Sequence, residues 1–475
     1  MTFIRTLCAL ALCVTTSKSL AGVELPSIGD NSAGLISPSV EYALGRKALR
    51  QYRAYFPQAQ DPYFEAYLDS LLDNMVVHSG LPDKPLSLLV INDMSLNAFA
   101  APGGIVGVNT GTFLVAQTEQ QLASILAHEL AHLSQRHYAR RVAYQKSKAP
   151  LNWATMLGSV LIMAAGEADA GIVAMTAAQA QQMSSALAFS RDMEREADRV
   201  GLDTMINAGY DPHAMPQMFE QLLRASRYRA KVPEFLLTHP VTESRISDAK
   251  NRSQNYPKRH YPSDENFQIL KARAILRHES SAQFAVKRFT NELNGISLSP
   301  LTARYGLVMA LIESRRTDDA LREYEILAKE YGHLLPVRIA RADIYAAEDR
   351  LDLALNILKR ELAVTPTNHI LNVRYAEILM QASRYELGQS VLTEHVKRHP
   401  ENAYMWYLLA ETHGLAGHIL EVHKARAEYF ILLGIYEKAE IQLRNALKLT
   451  EDTKYEKPRL EQRLAYVRKL QNEKL

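Results

Sequence analysis

The C-terminal half of the chain repeats itself with a fixed spacing of 34 residues. Small residues and prolines recur at this period, which is that of the tetratricopeptide repeat, a pair of antiparallel helices. Each pair buries its apolar face only against its neighbours, so stacked pairs form an elongated solenoid with a concave binding surface. We therefore predict an α-helical tetratricopeptide domain over residues 263–475. The recurring positions are Ala342, Ala376 and Ala410, together with Pro366 and Pro400.

The end of this array is expected to be less regular, because Ala427 and Ala439 restart the repeat half a period late. An unrelated helical bundle is the alternative interpretation. The C-terminal half contains no catalytic motif, so the function predicted for it is binding.

A second constraint is the stretch His128-Glu-Leu-Ala-His132, which lies in a segment without glycine or proline. Its apolar residues recur every three or four positions, the period of an α-helix. Residues four apart share one face of a helix, so both imidazoles can hold one metal ion, and Glu129 can reach a water molecule on that ion. The pattern predicts a zinc hydrolase with Glu129 as general base. The alternative is an ordinary helix with two solvated or packed histidines.

A zinc centre of this kind needs a third protein ligand and an open position for water. The charged segment 189–203 is helical in pattern, and its Glu194 and Asp198 stand four apart on one face. Glu194 is the candidate third ligand. Asp198 could accept a hydrogen bond from the outer nitrogen of a ligating imidazole and so fix its tautomer. The small Ala197 would let the two helices approach closely. A solvated charged face is the alternative interpretation.

Between residues 86 and 109 the period changes to that of short β-strands. Leu86–Asn92 is predicted to be a buried strand and Ile105–Asn109 a second strand, with a turn at Pro102–Gly104 between them. The second strand lies just upstream of the metal motif. It is interpreted either as a sheet edge that holds an extended substrate peptide by strand addition, or as part of a structural hairpin.

The N-terminus has the pattern of a secretory signal peptide over residues 1–21. A basic start is followed by the apolar run Leu7–Val14 and by the small-residue cleavage site Ser19-Leu-Ala21. The pattern predicts export to the periplasm, and a retained anchor is the alternative. Both cysteines lie in this segment, so the exported chain is expected to have neither a disulfide nor a thiolate metal ligand.

Charge and hydropathy add two further expectations. The formal net charge of +3 on 475 residues gives no electrostatic reason to expect nucleic-acid binding. The apolar segment 151–180, rich in Met and Ala, is interrupted by charges and is shorter than a membrane span in each part. It is interpreted either as two helices packed on the protease core or as a mobile segment that contacts membrane lipid or an unfolded client.

The stretches Asn97-Ala-Phe-Ala-Ala-Pro-Gly-Gly104, His128-Glu-Leu-Ala-His132 and Glu194-x-x-x-Asp198 resemble the metallopeptidase family that includes the CaaX prenyl proteases and the membrane protease HtpX. The resemblance implies a gluzincin-type domain over residues 22–262, α+β and mostly α, with a small sheet. It implies one Zn²⁺ ion held by His128, His132 and Glu194, with Glu129 and Asp198 supporting catalysis. Glu196, on a different helical face, is the competing ligand.

A further segment, His239-Pro-Val-Thr-Glu-Ser-Arg245, is similar to one that this family often carries. Three roles for His239 stay open. It stabilises the oxyanion of the tetrahedral intermediate, it occupies the open zinc position and keeps the enzyme latent, or it is structural. Thr242 is expected to cap the following helix. Arg245 is expected to form a salt bridge or a cap, with stabilisation of transition-state charge as the second interpretation.

The chain as a whole resembles periplasmic proteases of Gram-negative bacteria that combine a signal peptide, such a protease domain and a tetratricopeptide array. The resemblance implies that the enzyme assists assembly of outer-membrane β-barrel proteins and degrades misfolded or stalled ones, with the repeats contacting the barrel-assembly machinery. The alternative is a non-proteolytic chaperone or scaffold with a structural zinc. Glu129 argues against that alternative, because a structural site needs no general base.

Overall fold

The structure is a computed structural model, and it describes residues 36–81, 85–148, 177–228, 233–262, 264–295, 298–450 and 456–472. The predicted signal peptide, both cysteines and residues 151–176 of the apolar segment lie outside these ranges. Within them, no helix combines the length and the apolar character that crossing a membrane requires.

Two helices open the described chain, α1 (Pro38–Tyr55) and α2 (Pro62–Val76). Ser37 and Asp61 accept hydrogen bonds from backbone N–H groups of the first turn, and a proline follows each of them. Both devices deal with N–H groups that a helix start leaves unpaired. The apolar side chains of α2 are buried in the protein core; they include Phe64, Leu68, Leu72 and Met75.

A three-stranded sheet follows, with strands β1 (Ser87–Ile91), β2 (Ala98–Ala101) and β3 (Ile105–Asn109). Its order is β1-β3-β2, with β1 parallel and β2 antiparallel to β3. Gly103 and Gly104 make the turn between β2 and β3 at positive φ, +80° and +79°, which a residue without a Cβ adopts easily. The predicted strand at Ile105–Asn109 is confirmed.

Of the two interpretations of this strand, the sheet edge is wrong, and the hairpin is confirmed because β3 pairs antiparallel with the preceding strand β2. β3 is the central strand and has a partner on both sides, so an extended peptide cannot pair with it. The outer side of β1 is also covered, because Ala59 N donates to Val90 O (2.9 Å) and Asn92 N donates to Pro57 O (2.7 Å). Among the described strands, the edge that remains for strand addition belongs to β2.

The sheet is followed by seven helices in the described ranges: α3 (Thr112–Val115), α4 (Glu119–Ser134), α5 (His137–Lys148), α6 (Ala177–Asn207), α7 (Ala214–Tyr228), α8 (Glu234–Thr238) and α9 (Glu243–Ser253). The helix predicted around the metal motif is α4. Thr118 caps it by accepting from Gln121 N at 3.3 Å. Its residues from Gln121 to Ala131 are all buried, because α6, α7 and β2 surround it.

Small residues bring α4 and α6 together. Ala197 of α6 is fully buried, in keeping with the close approach expected there. Gly201, one turn later, comes even closer, since a Cβ on it would lie 3.1 Å from the backbone of Ala127. This approach lets side chains of the two helices meet in one cluster.

The C-terminal part of the described chain is an array of helices in which each helix packs against the next. Four alternate helices of this array begin at intervals of 34 residues, at Thr317, Leu351, Tyr385 and Ile419. Ala342, Ala376 and Ala410 are buried between helices. The helices are α10 (Glu265–His278), α11 (Ala282–Leu293), α12 (Pro300–Glu313), α13 (Thr317–Tyr331), α14 (Leu335–Ala347), α15 (Leu351–Val364), α16 (His369–Gln381), α17 (Tyr385–Arg398), α18 (Ala403–Leu415), α19 (Ile419–Leu432), α20 (Tyr436–Lys448) and α21 (Glu456–Asn472).

The array is packed directly against the first part of the chain. The ring of Phe267 on α10 stacks on Phe113 of α3, with centroids 5.9 Å apart. Asp61, the cap of α2, is 4% exposed and accepts hydrogen bonds from Arg273 and Arg277. Burial by itself would raise the pKa of Asp61, but the two guanidiniums hold it below its ordinary value. The fold class predicted for the chain, mostly α with a small sheet and followed by a helical array, is confirmed.

Candidate active site

Four side chains from three helices converge in the core of the first part of the chain. His128 and His132 project from α4, Glu194 from α6 and His239 from the end of α8, and each offers one ligand atom within 4.8 Å of the others. His128 Nε2 lies 3.0 Å from His132 Nε2 and 3.4 Å from Glu194 Oε2. The structure therefore brings together two predicted ligands from one helix with the predicted third ligand from another.

Glu196, the competing ligand, points elsewhere. Its Oε2 accepts from Arg140 Nη1 at 2.8 Å and lies 3.2 Å from His137 Nε2. Nδ1 of His137 in turn lies 2.9 Å from His132 Nδ1. Glu196 and His137 thus support the outer nitrogen of His132, a role that we did not predict for either residue. The signal available in the sequence was a third histidine five positions after His132.

Asp198 stands behind the other histidine. Its Oδ1 lies 3.0 Å from His128 Nδ1, the nitrogen that faces away from the cluster. Burial by itself lowers the pKa of His128, but Asp198 and Glu194 beside the ring raise it to about 9. The two carboxylates therefore stabilise positive charge at this position, which is also the charge that a bound metal ion would bring. Asp198 occupies the place expected of a residue that orients a ligating histidine.

Arg245 ties the carboxylates together from α9. Its Nε and Nη2 donate to the two oxygens of Asp198, both at 2.7 Å, and its Nη1 lies 3.1 Å from Glu194 Oε2. Nη1 also donates to the carbonyl of Pro240 at 2.8 Å. The salt bridge expected for Arg245 is present, and Thr242 caps α9 by accepting from Arg245 N, as predicted. One buried guanidinium thus holds Asp198, Glu194 and the segment after His239 in register.

His239 lies inside the cluster. Its Nδ1 is 3.2 Å from His128 Nε2 and 3.2 Å from both carboxylate oxygens of Glu194. Its Nε2 is 3.6 Å from Glu129 Oε1, and its ring stacks on Phe235 with centroids 4.9 Å apart. The residue is the C-cap of α8, and its backbone (φ −124°, ψ 75°) lies outside the α region that the following proline disfavours. Both functional interpretations of His239 required this proximity.

Glu129 is beside the cluster and is 1% exposed. Its Oε1 has no hydrogen-bond partner among the described residues, although such buried atoms are normally satisfied. Burial raises the pKa of this carboxyl, and the neighbouring His239 and His128 and a backbone hydrogen bond from Ala100 only partly oppose the rise. Because Ala100 belongs to β2, the carboxyl lies between the ligand cluster and the free edge of the sheet.

The donor set fits a divalent metal ion. Burial lowers the pKa of His132 well below its ordinary value, so this imidazole is neutral and has a lone pair to share. Burial would raise the pKa of Glu194, but His239 and His132 hold it well below its ordinary value, so this group is ionised. Imidazole nitrogens with a carboxylate oxygen form the ligand set of many catalytic metal centres, and the unpartnered Glu129 oxygen is placed to contact a water there.

Comparisons with known proteins agree with this geometry. Residues 62–253 match the family described as peptidase family M48. This range contains every residue of the cluster as well as Arg245 and His137. A part of the chain is also similar to the mitochondrial metalloendopeptidase OMA1 of Schizosaccharomyces pombe, 33% identical over 180 residues, or 38% of this chain and 50% of that protein.

Two bacterial proteins match over most of the chain. The beta-barrel assembly-enhancing protease of Escherichia coli is 31% identical over 449 residues, which cover 94% of this chain and 92% of that protein. The protein of the same name from Yersinia pestis is 30% identical over 449 residues, with the same shares of the two chains. The similarity thus includes the helical array as well as the metal cluster. The chain belongs to the family of the beta-barrel assembly-enhancing proteases and is a metalloprotease with a peptidase family M48 domain.

Proposed function

We propose that this protein is a zinc endopeptidase of the periplasm that degrades misfolded or stalled outer-membrane β-barrel proteins and assists assembly of the others. The observation that carries the proposal is the buried cluster of His128, His132, Glu194 and His239 beside Glu129, whose Oε1 atom has no hydrogen-bond partner among the described residues. The substrate class is taken from the names of relatives that match the chain nearly end to end. The signal peptide (1–21), the protease domain (22–262) and the tetratricopeptide domain (263–475) are part of this proposal.

His128, His132 and Glu194 are the proposed ligands of one zinc ion. When bound, the ion supplies Lewis acidity, which polarises a peptide carbonyl and makes a water molecule more acidic. Glu129 accepts a proton from the attacking water, whose oxygen adds to the carbonyl carbon. The carbon–nitrogen bond then breaks, and Glu129 returns the proton to the leaving amine nitrogen. Asp198, with Arg245 behind it, keeps His128 oriented through its outer nitrogen.

The free edge of β2 is the proposed path of the substrate backbone. Asn109 N donates to Asn97 O at 2.9 Å, and bonded and non-bonded pairs alternate along an antiparallel ladder. By that alternation the backbone groups of Ala98 and Ala100 are directed away from β3. Ala98 is fully buried, so Ala100, which is partly exposed, is the one of these two residues that a peptide could reach. Ala100 already reaches Glu129. A peptide paired with β2 would therefore present its carbonyl groups next to the general base.

The first experiment measures cleavage of a denatured outer-membrane β-barrel protein by the chain recovered from the periplasmic fraction, with Gly22 at its N-terminus. We expect fragments from the denatured substrate, little cleavage of the same substrate folded in detergent, and complete loss of cleavage after chelation. Stoichiometric Zn²⁺ should restore it, because the ligand set suits zinc. Continued cleavage by verified metal-free protein, or equal cleavage of the folded substrate, would contradict the proposal.

His239 is proposed to keep the site closed by occupying the metal position that the substrate needs. This proposal is supported by the position of His239 Nδ1, which lies 3.2 Å from both His128 Nε2 and Glu194 Oε1 and is therefore among the proposed ligand atoms. We expect His239→Ala to increase the basal rate of peptide cleavage by roughly 2–10-fold, as a removed block of about 0.4–1.4 kcal/mol would. A kinetic assay with a short unfolded peptide measures this rate. A decrease of tenfold or more with unchanged metal content would instead assign His239 to oxyanion stabilisation.

A further inference from the structure

A second group of histidines lies outside the protease site, where the array meets α2. His369 is the first residue of α16, His395 is in the last turn of α17, and His399 is the residue that ends α17. Each of the three offers a ring nitrogen, and these nitrogens all lie within 4.8 Å of one another. His395 is fully buried and the other two rings are half-buried. Three imidazoles therefore converge on one point at the junction between the array and the first part of the chain.

The contacts within this group are close. His369 Nδ1 lies 2.8 Å from His395 Nε2. The ring centroids of His395 and His399 are 4.7 Å apart, and those of His369 and His399 are 5.2 Å apart. For comparison, the nearest ring nitrogens in the protease cluster are separated by 3.0 Å and 3.2 Å. The spacing in the second group is thus similar to that in the proposed metal ligands of the same chain.

A carboxylate from the other side of the junction orients one of these rings. Glu65 Oε2, on α2, lies 3.2 Å from His369 Nε2 and also accepts from Asn402 Nδ2 at 2.7 Å. A carboxylate acceptor keeps the proton of His369 on Nε2, so the lone pair of Nδ1 is directed toward His395. This is the arrangement in which proteins orient metal-ligating histidines, with the outer nitrogen bonded to a carboxylate. It parallels the contact between Asp198 and His128.

The protonation state of the group also suits metal binding. Burial, followed by the proximity of His369 and His399, lowers the pKa of His395 to about 3. Burial, followed by the proximity of His369, lowers the pKa of His399. Neutral imidazole is the form that binds metal ions. The Nδ1 atom of His395 is buried and has no hydrogen-bond partner in the described parts of the chain. Buried polar atoms normally have such a partner, so the hydrogen bonds among the described residues leave this ring unsatisfied.

We propose that His369, His395 and His399 bind a second divalent transition-metal ion, with Glu65 orienting His369. Imidazole ligands suit zinc, nickel and copper, and a set of three leaves a position for water or another ligand. All three ligands belong to the array, so an ion there ties α16 to α17 at the surface that contacts Glu65 of α2. The simpler alternative is a hydrogen bond between two neutral imidazoles with no ion.

Metal stoichiometry separates the two hypotheses. The full chain is stripped of metal, titrated with Zn²⁺ by calorimetry and then assayed for bound metal after desalting. We expect two ions per wild-type chain and one ion per chain in a His128→Ala/His132→Ala variant, which lacks the protease ligands. His399→Ala should also bind one ion. His333→Ala, a control at a ring that is 61% exposed, should retain two. One ion in the wild type and none in the double variant would overturn the proposal.

Two further measurements keep the test independent of folding defects. Co²⁺ bound to the His128→Ala/His132→Ala variant should give an absorption and X-ray fine-structure signal of imidazole ligation, and its absence would overturn the proposal. Glu65→Gln removes the orienting carboxylate without touching a ligand atom, so we expect affinity for the second ion to fall by about 10–100-fold. An unchanged affinity would refute the role of Glu65. Circular dichroism spectra of all variants confirm that they are folded.

Discussion

Glu129→Gln is expected to reduce peptide cleavage by about 10²–10⁴-fold while the protein keeps its full metal content. The amide has nearly the shape of the carboxyl, but it cannot accept a proton from water at neutral pH. The side chain is not among the four convergent donors, so the change removes no ligand. Cleavage of an unfolded outer-membrane β-barrel protein and metal content are measured on the same preparation. Glu220→Gln, at a residue paired with Lys250 away from the cluster, is the matched control.

Full proteolysis by the Glu129→Gln variant would contradict the mechanism. The variant also separates the two functions proposed for the chain. If the helical array assists barrel assembly without cleavage, the inactive variant should retain assembly activity that a protease-dependent function would lose. A trapped peptide in a structure of this variant is expected to pair antiparallel or parallel with β2, and a peptide bound elsewhere would rule out the proposed substrate path.

Arg245→Met is expected to lower the free energy of unfolding by about 3–5 kcal/mol, because it leaves Asp198 buried without its cationic partner. Arg245 and Asp198 are 4% and 5% exposed and share two hydrogen bonds of 2.7 Å. Methionine keeps the apolar stem of the side chain but also loses the contact of the guanidinium with the Phe219 ring, whose centroid lies 5.0 Å from Arg245 Cζ. Urea unfolding of the metal-loaded protein measures the change, and metal titration should show weaker binding because Asp198 supports His128. Arg199→Met, which removes an exposed pair with Asp248, is the control and should be nearly neutral.

The pair of Arg245 and Asp198 should also affect how the stability of the protein depends on pH. Burial by itself would raise the pKa of Asp198, but His128 and Arg245 hold it below its ordinary value. A carboxyl with a depressed pKa in the folded state contributes stability above its ordinary pKa and loses it as the pH falls through the depressed one. Without Arg245 the folded-state pKa of Asp198 rises toward its ordinary value, so the free energy of unfolding of Arg245→Met should fall less steeply with decreasing pH than that of the wild type. Identical acid unfolding curves for variant and wild type would contradict the assigned role of Arg245.

The parts of the site that lie within one helix were predictable from the sequence. His128, Glu129 and His132 occupy neighbouring turns of α4 because spacing along a helix determines which side chains share a face. Glu194 could be matched to them through the motif that it forms with Asp198. The helical array followed from its 34-residue period, which reflects contacts between sequence neighbours. The tetratricopeptide assignment itself stays a prediction.

Contacts between segments that are distant along the chain were harder to predict from the sequence. One interpretation placed Ile105–Asn109 at the edge of the sheet, although it is the central strand. The order of strands depends on the path of the chain between them, and the alternation of residues within one strand does not show which strands lie beside it. His137 reaches His132 only because the chain turns at Arg136, whose φ is +50°. Arg136 is held there by Glu41 from α1.

The helices, the metal motif and the 34-residue repeat could be predicted without a structure, because each depends on residues that are close together along the chain. Packing between distant segments placed the residues that complete each cluster: His239 beside the proposed ligands, Arg245 beside Asp198, and Glu65 beside His369. The physical reason is that a buried charge or imidazole is stabilised by whichever partner the packing brings within about 3 Å, and that partner is often a hundred or more residues away. His369 and Glu65 are 304 positions apart, and they meet because the array folds back against α2.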